Sequence, residues 1–132
     1  MSIARRAVVA GQFYPENESS CRAEIEQCLS EAVNLPKLDG KIAGAVVPHA
    51  GWVFSGPTAA AAFKAIKQQN QNVDTFIIFG AAHRYSQTKP AVYDSGNWAE
   101  PLGKINIDEQ LAERIIASPG CCADKPAHNH EH

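Results

Sequence analysis

Aromatic side chains are scarce in this chain, at two Trp, three Tyr and five Phe in 132 residues, and methionine occurs once. A core with so few large rings must rely on aliphatic and small residues. Net charge is nearly absent as well: 12 Lys and Arg stand against 14 Asp and Glu, a formal −2. With no basic stripe, that balance excludes nucleic acid as an electrostatic partner. Long hydrophobic runs are missing, and none approaches the ~20 apolar residues of a membrane span. Arg5-Arg6 before Ala7-Val8-Val9-Ala10 has the look of an export signal, but Gln12 and Pro15 close the apolar stretch early, so export is not expected. Cysteine occurs four times without disulfide spacing. Cys21 and Cys28 would lie two turns apart on one helix face, beyond bridging reach, and Cys121 and Cys122 are neighbours. The expected compartment is the reducing cytoplasm.

What is present suits a folded domain. Hydrophobic residues make up 45% and charged residues 20%, and the length calls for a single domain over residues 1–132. The organising stretch runs from Ala45 to Thr58. Ile42 to Val47 is a small, β-branched run between Gly40 and Pro48, and it reads as a buried strand. Pro57 to Gln69 is Ala-rich with Phe63 and Ile66 and reads as a helix, Pro57 lying in the first turn where its missing N–H costs nothing. Val73 to Gly80 reads as a second strand. A right-handed crossover would make the two strands parallel and deliver His49 and His83 to the same sheet edge. Ligands bind beyond the carboxyl ends of strands in such sheets, so the two imidazoles are the candidate metal ligands.

Elsewhere, Ile3 to Gly11 reads as a first strand and Gln12-Phe13-Tyr14-Pro15 as a turn. Glu18 to Val33 is the clearest helix, with Cys21, Ile25, Cys28, Leu29 and Ala32 at the 3.6-residue period. Ala91-Val92-Tyr93 and Lys104 to Ile107 read as short strands flanking a loop or hairpin through Asp94 to Trp98 and Pro101. Asp108 should cap a helix reaching Ala117. Cys121 to His132 shows no regular pattern. It offers His128, His130 and His132 but no paired metal-site spacing, so a solvated tail is expected.

Gly51-x-x-x-x-Gly56-Pro57-Thr58 nearly spells a phosphate loop, but Pro57 replaces the lysine, which excludes nucleotide hydrolysis. A helix N-terminus beside His49 could still hold a carboxylate, phosphate or phenolate oxygen. Arg84 and Tyr85 either orient a substrate anion or form an ordinary loop surface.

Three motifs, Arg6 to Pro15, Val47 to Gly56 and Phe79 to Arg84, occur in order and together resemble the Memo-like family, whose prokaryotic members are called AmmeMemoRadiSam system protein B. The resemblance spans nearly the whole chain but only about the first half of a family member. It implies an α/β fold, mainly a parallel sheet flanked by helices, similar to the class III non-haem iron dioxygenases (LigB-like) and here truncated. It implies that His49 and His83 are metal ligands for iron or copper. The third family ligand, a Cys, has no counterpart among the four cysteines. A thiolate in place of a carboxylate selects softer metals and points away from ring opening. Glu131-His132 looks like the opening of a further family motif. With Gly51, Trp52, Ser55, Gly56 and Arg84, His132 makes up the expected ligand-binding set. The family also implies two functions: a metal-dependent redox protein, or an adaptor using the same crevice and Phe13, Tyr14 and Trp52 for a peptide. The implied partners are a radical-SAM protein and an AMMECR1-like protein.

Overall fold

Asn17 caps the first helix: its side-chain oxygen accepts the Ser20 N–H at 2.9 Å, and α1 runs over Glu18–Glu31. The computed structural model describes residues 4–69, 72–84 and 89–132. They cluster into two compact units, Val9–Phe76 and the combination of Met1–Val8 with Ile77–His132.

The first unit is built on α1 and α2 (Trp52–Gln69). Cys28 and Ala32 pack with Ala60 and Ala61 as its buried core. Small residues on both faces let the helices approach closely. Gly56 makes the limit visible, because a Cβ there would lie 2.4 Å from Cys28 Sγ. Burial, with help from the Glu24 and Glu31 carboxylates, pushes the Cys28 thiol above its ordinary pKa, which makes it packing material and not a nucleophile. Ahead of α1, Gly11 at φ +78° takes a backbone conformation suited to glycine, and its N–H donates to Tyr14 O at 2.7 Å. The turn expected at Gln12 to Pro15 is therefore present.

The second unit holds the sheets. β1 (Ala4–Arg5) pairs in parallel with β3 (Asn97–Glu100), which pairs antiparallel with β4 (Gly103–Asn106). β2 (Ala91–Val92) pairs in parallel with β5 (Cys122–Ala123). α3 (Glu109–Ile116) begins at Asp108, whose carboxylate accepts the Leu111 N–H at 3.0 Å, as expected of that cap. Among the described residues no helix is long and apolar enough to cross a membrane.

Four local expectations are corrected. Among the described residues, Ile42 to Val47 and Val73 to Gly80 form no ladder, and most of their side chains are exposed. β-branched composition becomes a strand only where a neighbouring backbone completes the hydrogen bonds, so the anticipated βαβ core is not what these runs build. α2 starts at Trp52, five residues ahead of Pro57, which sits inside the helix. The missing Pro57 N–H removes the donor that would ordinarily bond Val53 O one turn back. The first strand is confined to Ala4–Arg5 among the described residues, and Ile3 lies outside them. The segment expected as a solvated tail is instead part of the fold. It supplies β5 and a short 3-10 helix (Pro126–His128), and Arg5 holds it by donating to His128 O at 2.8 Å and to Glu131 O.

The same segment inserts His128 between aromatic rings. Its imidazole meets Tyr93 at 5.7 Å and Trp98 at 6.4 Å between centroids, and its Nε2 lies 3.2 Å from Ala91 O. Burial pushes the His128 pKa below its ordinary value; the Ala91 contact and the Asp124 and Glu131 carboxylates oppose the shift, while Arg5 adds to it. The unfolded imidazole titrates near its ordinary value of about 6.5. The neutral ring's contribution is therefore complete above that value and is lost as pH falls toward the lower folded pKa. Urea unfolding at about pH 7.5 and about pH 5.5 should show a stability loss that shrinks in His128→Phe, whose ring cannot charge. An equal loss in both proteins would contradict this assignment.

Candidate metal centre

His83 is held by a carboxylate 48 residues away in sequence. Glu131 Oε1 accepts the backbone N–H of His83 at 2.8 Å and that of Arg84 at 3.0 Å, while Oε2 lies 2.9 Å from His83 Nδ1. These bonds keep Glu131 below the usual carboxylate pKa, the Arg84 N–H contributing most and the His83 ring next. A carboxylate can only accept, so His83 Nδ1 carries the hydrogen, and in the neutral ring the lone pair then lies on Nε2. The His83 side chain is 39% exposed and that of Glu131 13%, so the acceptor is the better shielded of the two.

His132 follows Glu131 directly and is thereby brought to His83. Their ring centroids lie 4.5 Å apart with planes inclined by 33°, and a ring nitrogen of one lies within 4.8 Å of one of the other. Two imidazoles so close, one fixed in a single tautomer by a carboxylate behind it, match the donor chemistry of an iron, copper or zinc ion. The route by which His83 is positioned differs from the expected one. It does not come from a parallel strand end but from Glu131, and Arg5 anchors the Glu131 backbone in turn.

In the helical unit, His49 is exposed three residues ahead of α2. Gly51 follows at a close approach, where a Cβ would meet Phe13 O at 3.5 Å. The Trp52 N–H donates to Phe13 O at 2.8 Å, and the Trp52 ring stacks on Tyr14 with centroids 5.2 Å apart. The Ser55 hydroxyl is buried and donates to Ala50 O at 2.8 Å. Gly56 lies against Cys28. Arg84 contributes its backbone N–H to Glu131. Tyr85 lies outside the described residues. Glu131 itself was not among the expected site residues. Its signal was the family motif that Glu131-His132 resembles, since no spacing rule connects positions this far apart.

The family profile described as Memo-like protein matches residues 5–132. A MEMO1 family protein of Pyrococcus abyssi is 43% identical over 131 residues, covering 97% of this chain and 43% of that protein. Its counterpart in Pyrococcus furiosus is 41% identical over 132 residues, with 97% and 43% covered. A MEMO1 family protein of Methanococcoides burtonii is 36% identical over 128 residues, with 97% and 45% covered. The fold is mixed α/β, with two imidazoles brought side by side over a carboxylate. The chain belongs to the Memo-like family. It spans less than half the length of these curated relatives.

Proposed function

We propose that this chain carries the metal-holding part of a Memo-family redox protein, with His83 and His132 as imidazole donors to one iron or copper ion. The observation that supports it best is the His83–His132 pair, backed by the Glu131 contact to His83 Nδ1. Neutral imidazoles suit both metals, and a carboxylate behind one of them raises its basicity. When bound, the ion would supply Lewis-acid or one-electron chemistry toward an oxygen-bearing substrate. The chain's own share is to hold the donors aligned. In this reading a radical-SAM protein and an AMMECR1-like protein are the associated partners.

A second reading is a binding module. Val53 and Phe54, 79% and 83% exposed beside the Tyr14–Trp52 stack, favour a peptide contact there. Anaerobic titration with Fe(II) and with a copper salt separates the two. The expected result is one ion per chain, with affinity at least ~100-fold weaker in His83→Ala, since even outer-shell losses cost 10–100-fold. Absent or unsaturable uptake by the wild-type chain would overturn the metal reading and leave the binding module.

A further inference from the structure

We infer that Glu131 is the positioning residue of this centre, setting the His83 tautomer and clamping the loop that carries it. Its carboxylate makes three bonds to two consecutive residues: the N–H of His83, the N–H of Arg84 and the Nδ1 of His83. A purely structural cap would need only the backbone N–H groups. The ring bond adds chemistry, because an acceptor-only partner at Nδ1 places the hydrogen there and leaves Nε2 as the electron-pair donor. Glu131 is held from behind by Arg5, which donates to its carbonyl and, at 2.8 Å, to that of His128. Since His132 is the next residue, the same anchor sets the distance between the two rings. One carboxylate thus couples the orientation of one imidazole to the placement of the other. The inference rests on the metal reading only for what the Nε2 lone pair is used for; the tautomer itself is a property of the metal-free chain.

The test is nitrogen-15 NMR of the imidazoles in the full, metal-free chain at about pH 8, above the ordinary imidazole pKa range. The wild type is expected to show His83 protonated at Nδ1 and bare at Nε2. Glu131→Gln offers an N–H donor as well as an acceptor, so His83 should move toward the Nε2–H form. Glu131→Asp keeps the charge on a shorter arm and should restore part of the Nδ1–H population. Zinc affinity, read in parallel, should fall 10–100-fold in Glu131→Gln. An Nε2–H ring in the wild type, or an unchanged tautomer in Glu131→Gln, would overturn the inference whatever the variant does to stability. Equal zinc affinity in both proteins would also overturn it, even with the metal centre intact. If the tautomer responds as expected while the wild type takes up no metal, the positioning role stands and the metal reading fails.

Discussion

Gly56→Ala is expected to destabilise the helical unit by about 1–3 kcal/mol, the usual cost of forcing a methyl into a filled site. The opposing effect is smaller, because replacing glycine by alanine inside a helix gains only about 0.5–1 kcal/mol. Overpacking wins here because the new Cβ would sit 2.4 Å from Cys28 Sγ, on a buried face with Trp52 Cβ at 3.5 Å on another side. Neither helix can retreat without opening the contact among Cys28, Ala32, Ala60 and Ala61. The same physics predicts a rescue. In a Cys28→Ala background the added methyl finds room, so the penalty should vanish and the helix-propensity gain should emerge. Urea unfolding of the four proteins in this cycle measures the coupling. Equal costs of Gly56→Ala in both backgrounds would show that the clash is not the cause.

The isolated chain is further expected to self-associate as its concentration rises. Ile78 and Phe79 are 79% and 93% exposed, and Val46 is fully exposed. Each belongs to a β-branched or aromatic run that forms no ladder. Exposed apolar, strand-prone segments recruit other chains, as uncovered sheet edges do. Sedimentation velocity should show species larger than the monomer for the wild type, and a monomer over the same range for the double variant Ile78→Lys, Phe79→Lys. A wild type that stays monomeric at every concentration would mean that these runs are covered in solution.

The helices α1 and α3 were legible because their signals are local. Asp108 announces α3 by capping the Leu111 N–H three residues on, and Cys21 and Cys28 keep the helical period of α1 on its buried face. α2 was misread at its start because Pro57 is a good first-turn residue, and the Phe13 carbonyl that receives the Trp52 N–H is 39 residues away. The runs at 42–47 and 73–80 carry strand composition, but composition cannot supply a partner backbone. His83 and His132 were both picked out, one from a position after an apolar run and the other from a motif. The Glu131 bonds that join them were not, because the contact spans 48 residues and carries no periodicity. The closing segment was misjudged for the same reason: its order comes from Arg5, at the other end of the sequence.

The most direct test of the metal centre uses zinc as a diamagnetic probe of the chain's five imidazoles. Titrated into protein labelled with nitrogen-15 at histidine, zinc should shift His83 and His132 together and saturate at one ion per chain. His128, occupied with Ala91 O among the aromatic rings, and His130 should stay where they are. Histidines that respond independently, or a response that never saturates, would contradict a shared metal centre.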